Sequence, residues 1–323
     1  MNKEDLKIVY MGTPDFAVEP LRRLVEDNYN VVGVVTMPDK PAGRGHKLQF
    51  SPVKQFAVDH NLHVMQPEKL KAEEFVNELR SLNADLFIVV AFRMLPEVVW
   101  AMPRLGTFNL HGSLLPQYRG AAPLNWAVIN GEKETGITTF FLTHEIDTGK
   151  IIQQEKIAIN EEDNVGTIHD KLMIMGGDLV LDTVKNIIAG TIAPKPQEEL
   201  YASESELKPA PKIFKETCHL DFNNPTENIH NLVRGLSPYP AAWANLTAEG
   251  KEDVQMKIYE TKKEICAHNE APGTLLTDGK KFLKVATKDG YLHLLQIQVP
   301  GKKRLSIEDF LRGFRFDTEY KLS

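Results

Sequence analysis

Cysteine is scarce in this chain of 323 residues, and the two present, Cys218 and Cys266, stand apart with no ligand spacing and no neighbouring partner. A disulfide framework is therefore not expected, and a reducing, cytoplasmic setting fits. No cluster of His, Cys, Asp and Glu has the spacing of metal ligands, so no metal is expected. No apolar run approaches the roughly 20 residues that a membrane span needs. The opening Met1 to Lys7 is charged and leads straight into a strand, unlike a secretory signal. Nor is there a general excess of positive charge: the net charge is −6. The first apolar strand runs into Gly12-Thr13-Pro14 rather than G-x-G-x-x-G, which argues against a dinucleotide-dependent dehydrogenase. Internal repeats and low-complexity tracts are also missing.

What is there is an ordinary globular mixture, 42% hydrophobic and 25% charged, at a length that suits two domains. Apolar strands at Leu6–Met11, Asn30–Thr36, His63–Gln66 and Asp85–Ala91 alternate with amphipathic helices at Phe16–Glu26, Pro52–His60 and Ala72–Leu82. Strands apolar on both faces, alternating with helices, predict a doubly wound parallel sheet covered on both sides. A helix from Pro123, a strand pair at Gly136–Leu142 and Lys150–Ile157, and a long helix from Thr167 to Ala189 complete this part. Pro and Gly mark 190–211 as a linker. Beyond it, short alternating strands at Trp243–Thr247, Val254–Tyr259, Phe282–Thr287 and Tyr291–Ile297 predict a small β-barrel. The domains expected are thus 1–189, the linker, and 212–323. Charge divides along similar lines. Residues 205–323 carry 18 Lys and Arg against 16 Asp and Glu, a net +2, so the preceding residues hold −8. That permits a polyanion on one side, although most such lysines are ordinary solvated surface.

The chemistry concentrates in Asn109-Leu110-His111-Gly112-Ser113-Leu114-Leu115-Pro116. Residues two apart on a strand share a face, so Asn109 and His111 converge where a sheet normally presents apolar side chains. An amide there suits donation to a developing oxyanion, and an imidazole suits proton transfer near neutrality. Asp147 lies 36 positions beyond His111, in a turn between two strands, from where a carboxylate can fix the histidine tautomer. This is an acyl-transfer constellation without a Ser or Cys nucleophile. A plainer reading stands beside it: a polar pair capping a turn, and an Asp-x-Gly that is only a β-turn. Spacing alone leaves both open.

These residues, with Tyr118-Arg119-Gly120-Ala121-Ala122-Pro123 and Asp147-Thr148-Gly149, resemble the folate-dependent formyltransferase family. Gly12-Thr13-Pro14-Asp15-Phe16-Ala17, Pro38-Asp39-Lys40-Pro41-Ala42-Gly43-Arg44-Gly45, Ser51-Pro52-Val53-Lys54, Ala210-Pro211-Lys212-Ile213 and Gly235 to Trp243 look like members that act on methionyl-tRNA. The likeness covers nearly the whole chain. It implies a Rossmann-like N-terminal catalytic domain and a C-terminal barrel related to the OB fold that binds tRNA. The implied reaction moves the formyl group of 10-formyltetrahydrofolate to the α-amine of initiator methionyl-tRNA, with Asn109, His111 and Asp147 at the formyl group. No tightly bound cofactor is implied, and a monomer is expected.

Under the same resemblance, Ser113, Leu114, Leu115 and Pro116 form the folate wall, with Phe92 and Leu95 bordering the pterin. Phe92-Arg93 stands where the family often has Tyr-Gly. Arg44, with Lys40 and Lys47, lies in a Gly/Pro loop suited to the acceptor end of a tRNA. Lys212, Lys302 and Lys303 are candidates for phosphates. Taken without the resemblance, such a loop is ordinary flexible surface. Trp126 and Trp243 read as core rather than stacking platforms. Two rivals share the active-site trio: a hydrolase releasing formate from formyltetrahydrofolate, and a formyltransferase acting on a small amine. Neither needs the basic loop or the barrel.

Overall fold

The computed structural model describes residues 2–42 and 47–323, so Arg44 lies outside the described residues. The chain forms two compact units. The first comprises Met1–Pro123, Thr135–Ile157 and His169–Pro209, and the second Leu124–Glu134, Ala158–Ile168 and Ala210–Ser323.

The elements of the first part are β1 (Lys7–Gly12), α1 (Val18–Glu26), β2 (Asn30–Val35), β3 (Lys40–Ala42), β4 (Lys47–Gln49), α2 (Pro52–Asp59), β5 (Val64–Met65), α3 (Glu73–Ser81), β6 (Leu86–Val90), α4 (Glu97–Trp100), β7 (Thr107–His111), α5 (Pro123–Ile129), β8 (Glu134–Phe141), β9 (Ile151–Ala158) and α6 (Val165–Ala189). The sheet order is β5-β2-β1-β6-β7-β8-β9. β1, β2, β5, β6 and β7 run parallel, with Val89 opposite Asn109. Every residue of β6, Leu-Phe-Ile-Val-Val, is buried, as a central strand covered on both faces must be. One face packs Val9, Met11, Val35, Phe87 and Val89 against Phe75, Val76 and Leu79 of α3. On β7, Leu110 meets α6 at Gly176, where an added Cβ would lie 2.8 Å from the Leu110 side chain.

Four local features depart from the sequence reading. β8 runs antiparallel to β7, pairing His111 with Thr138, so the sheet is mixed at this end rather than wholly parallel. Its residues are buried like those of its neighbours, and composition carries no sign of direction. The predicted helix at 16–26 begins as a 3-10 turn, Asp15–Ala17. Gly12 sits where an added Cβ would lie 2.7 Å from the Ala17 Cβ and 2.9 Å from the Val90 carbonyl, so it serves close packing of strand end on turn. The basic loop contributes a two-stranded hairpin, β3 against β4. Finally, the segment expected as a linker lies along the first unit as far as Pro209, with Lys195 and Ile151 exchanging backbone hydrogen bonds of 2.8 and 2.9 Å.

The second unit is built on α7 (Thr226–Leu236), β10 (Ala242–Ala248), β11 (Val254–Ile265), β12 (Leu275–Thr277), β13 (Leu283–Ala286), β14 (Gly290–Gln298), β15 (Leu305–Ser306), α8 (Ile307–Gly313) and β16 (Tyr320–Leu322). Its antiparallel sheet has the order β12-β13-β14-β11-β10-β16, and β15 pairs with β14. A bridge between Thr274 and Lys321 joins the two edges and nearly closes a barrel. Closure brings the Leu322 carbonyl to within 2.4 Å of where a Cβ on residue 273 would stand. Only glycine fits, and its φ of +87° suits that residue. The core packs Leu246, Met256, Ile258, Leu292 and Leu294 beneath Ile229 and Val233 of α7 and Phe310 of α8. Periodicity had pointed only to strands here. Both helices went unread because they are short amphipathic pieces between strands.

Candidate active site

His111 is the last residue of β7 and Asn109 its middle one, toward the carboxyl ends of the parallel strands, where open α/β sheets place their ligands. The His111 ring is 6% exposed and meets Phe140 edge-on at 6.3 Å between centroids. Its Nε2 lies 2.9 Å from the carbonyl of Tyr118. A carbonyl can only accept, so Nε2 carries the hydrogen in that bond. The other nitrogen, Nδ1, faces Oδ2 of Asp147 at 3.8 Å, too far for a direct hydrogen bond. The structure thus brings Asp147 beside His111. The tautomer, however, is set by the Tyr118 carbonyl and not by Asp147.

Among the described residues the Asn109 side-chain amide has no hydrogen-bond partner, so at this half-buried position of β7 it is a free donor. Asp147 is held from several sides. Oδ2 accepts from the Gly120 N–H at 2.9 Å, and the Asp147 carbonyl accepts from Gln197 at 2.8 Å. Its φ is +56°, in the left-handed region where Asp is tolerated better than most residues. Two positions on, a Cβ at Gly149 would fall 1.6 Å from the Phe141 carbonyl oxygen, which explains the glycine of Asp147-Thr148-Gly149.

The expected folate residues divide by burial. Ser113 is wholly buried, its hydroxyl donating to the Gln117 carbonyl at 2.7 Å. Leu115 is 2% exposed, and its N–H donates to the Thr138 hydroxyl, which donates in turn to the Ser113 carbonyl. Gln154 closes this network by donating to the Leu115 carbonyl and the Thr138 hydroxyl. Leu114 is half-buried and Pro116 buried. Leu95 belongs to the core beneath β1 and β6, and Phe92 packs half-buried against that core. Arg93 turns its guanidinium onto the Glu68 and Pro67 carbonyls, and burial pushes its pKa down.

Lys40 lies exposed on β3, and Lys47 begins β4. In the second unit Lys212 is exposed, its ammonium 5.5 Å from the centre of the Phe214 ring. Lys302 and Lys303 are exposed before β15, beside Arg304, whose guanidinium lies 3.6 Å from the centre of the Tyr259 ring. Trp126 and Trp243 each donate the indole N–H to a carbonyl, of Pro211 and Lys215 respectively, and Trp243 packs on the barrel core. Sequence reasoning missed Thr138 and Gln197, for neither stands in a pattern that signals chemistry. Among the described residues no group of His, Cys, Asp and Glu is placed to hold a metal ion, and no helix is long and apolar enough to cross a membrane.

Comparison with known proteins agrees with this fold. Residues 6–184 match the formyl transferase family and residues 212–315 its C-terminal domain. A Bacteroides thetaiotaomicron protein, 64% identical over the whole of both chains, bears the name methionyl-tRNA formyltransferase. So does a Flavobacterium johnsoniae protein, 51% identical over 99% of each chain. Among solved structures, the sugar 3N-formyl transferase WlaRD, determined with dTDP and 5-N-formyl-THF, shares the fold. Its TM-score is 0.63 at 20% identity, covering 92% of this chain and 99% of that one. HypX from Aquifex aeolicus with tetrahydrofolic acid gives 0.61 at 18% identity, covering 97% of this chain and 50% of that one. The parallel sheet and the nearly closed barrel are those of a formyl-transferring enzyme. This chain belongs to the formyl transferase family, and its full-length relatives at 51–64% identity are methionyl-tRNA formyltransferases.

Proposed function

We propose that this chain transfers the formyl group of 10-formyltetrahydrofolate to the α-amine of initiator methionyl-tRNA, and that Asn109, His111 and Asp147 carry the chemistry. Full-length relatives of that name support the substrate pair. The observation that carries the mechanism is the division of labour on His111: Nε2 is committed to the Tyr118 carbonyl, and Nδ1 faces Asp147 across 3.8 Å.

The α-amine attacks the formyl carbon, and the carbonyl π pair moves to oxygen. The free Asn109 amide donates to that oxyanion, a contribution of about 2.7–4 kcal/mol for one such donor. The amine proton passes to Nδ1 of His111, where Asp147 faces the charge that arrives. From Nδ1 it goes to N10 as the bond between N10 and the formyl carbon breaks, leaving the formamide and tetrahydrofolate. Ser113 to Pro116, held by Thr138 and Gln154, form the folate wall, and Phe92 and Leu95 border the pterin. Arg44, Lys40 and Lys47, with Lys212, Lys302 and Lys303, contact the tRNA. Two unpaired cysteines support a cytoplasmic setting.

Single-turnover formylation of charged initiator methionyl-tRNA tests the reading, with wild type beside His111→Ala. Formylmethionyl-tRNA from wild type alone is the expected result. Release of formate by wild type, or formylation of small amines only, overturns the substrate assignment.

A further inference from the structure

Within the segment expected as a linker, one side chain reaches the candidate site. Gln197 is wholly buried, and both ends of its amide are used. Nε2 donates to the carbonyls of Asp147 and Gly149, each at 2.8 Å. Oε1 accepts from Nε and one Nη of Arg119, at 3.1 and 2.8 Å. Arg119 directly precedes Gly120, whose N–H binds the Asp147 carboxylate. A single amide thus ties together the two turns, 118–120 and 147–149, between which that carboxylate is held.

Neither turn is locally comfortable. Tyr118 and Asp147 have φ of +61° and +56°. Such backbone persists only where its surroundings over-determine it. The surroundings here come from the former linker: Lys195 pairs with Ile151, Gln197 clamps both turns, and the Lys208 carbonyl accepts from the Tyr118 N–H at 2.7 Å. The same Tyr118 supplies the carbonyl that fixes His111.

We propose that Gln197 is a positioning residue for formyl transfer: by clamping the 118–120 and 147–149 turns, its amide sets where the Asp147 carboxylate stands relative to His111. This rests on the function proposed above. Glutamine is the side chain the site requires. It presents two donor hydrogens to two carbonyls and an acceptor to a guanidinium. Glutamate would keep the partner of Arg119 but set an oxygen against two carbonyls. Methionine would fill the volume and leave all three partners unmatched.

The test is a double-mutant cycle in kinetics. Wild type, Gln197→Met, Gln197→Glu, Asp147→Asn and the two double variants are assayed with 10-formyltetrahydrofolate and initiator methionyl-tRNA. A displacement of about one ångström at reacting groups can cost on the order of a hundredfold. Each Gln197 variant is therefore expected to lose about ten- to a hundredfold in kcat, with KM for both substrates little changed. In the Asp147→Asn background the same substitution should cost almost nothing more, because Gln197 acts through Asp147. A merely structural role would cost the same factor in both backgrounds, and that result overturns the proposal. So does a loss confined to KM, or wild-type kcat in the single variants. Thermal unfolding checks that each variant folds, and Gln197→Glu supplies the cycle if Gln197→Met does not. A wild type that formylates no tRNA defeats the assigned substrate instead, and the cycle is then read on whichever formyl reaction the wild type performs.

Discussion

The imidazole of His111 donates its Nε2 hydrogen to the carbonyl of Tyr118, 2.9 Å away, and this bond decides which nitrogen is available for chemistry. Tyr118 delivers that carbonyl from a left-handed backbone conformation, φ +61°, itself tethered by the Lys208 carbonyl. Nδ1 is left facing Asp147. The histidine is thus oriented by main chain on one side and placed against a carboxylate on the other. Its orientation should therefore survive loss of the Asp147 carboxylate, whereas its capacity to carry a proton should not. Asp147→Asn is expected to keep the ring in place, seen in a crystal structure of the variant, while lowering kcat by about 10²–10⁴, the range for general acid–base assistance. A displaced ring in that variant would show that the Tyr118 bond does not hold it.

Asn109 offers the cleanest separation of binding from catalysis, because its amide has no partner among the described residues. Asn109→Ala removes a donor without stranding a protein group. The expected loss is about 10²–10³ in kcat, with KM for methionyl-tRNA unchanged. If steady-state kinetics put the loss in KM instead, Asn109 binds the ground state and not the oxyanion.

Gly149 has no room for a side chain: its Cβ would lie 1.6 Å from the Phe141 oxygen and 2.8 Å from the Phe141 carbonyl carbon. Both belong to strand backbone, which cannot rotate away. Gly149→Ala should therefore cost about 3 kcal/mol, the upper part of the range for overpacking, and move the Asp147 turn away from His111. Thermal unfolding together with kcat tests this. A variant of wild-type stability and activity would mean that the turn approaches β8 less closely.

The pairing of Asn109 with His111 was legible because strand geometry is simple: two polar residues at an interval of two on an apolar strand cannot avoid sharing a face, whereas spacing alone did not set Asp147 against the ring. The parallel core was legible for a similar reason, since β6 is apolar at every position. The antiparallel direction of β8 was not, because burial on both faces looks the same whichever way a strand runs. The helices α7 and α8 escaped a reading tuned to period two. Gln197 was invisible for a deeper reason. Its segment is rich in Pro and polar residues, as linkers are, and a buried glutamine declares itself only when its partners, distant in sequence, are known.

Arg44 lies outside the described residues, and the sequence gives its loop a composition of Gly, Pro and basic residues. If that loop meets the acceptor end of the tRNA, Arg44→Ala should raise KM for methionyl-tRNA and reduce the salt dependence of tRNA binding by about one unit of slope, as loss of one phosphate contact does. KM for 10-formyltetrahydrofolate should not move. Titrating the tRNA at several salt concentrations separates this from a general loss of fold. An unchanged slope assigns the residue elsewhere.

The second unit carries its own acid sensitivity in His230. The ring is 7% exposed, and its Nδ1 pairs with the Thr261 hydroxyl at 2.8 Å. Burial pushes its pKa from 6.5 down to about 4. The charges of Arg234 and Lys263 push the same way, against the opposing pull of Glu227 and Glu161. The sign follows from proton counts. Between about pH 4 and 6.5 the unfolded chain binds a proton at this position and the folded chain does not, so stability falls as pH falls through that window. At about 1.4 kcal/mol per unit, the full loss is on the order of 3 kcal/mol by pH 4, and nothing is lost above about 6.5. Glutamine keeps a polar partner for Thr261 but does not titrate. His230→Gln should therefore flatten this part of the profile, measured by amide exchange of the barrel strands from pH 7 down to 4. If wild type and variant lose stability in parallel over that range, the acid sensitivity of the barrel belongs to other groups.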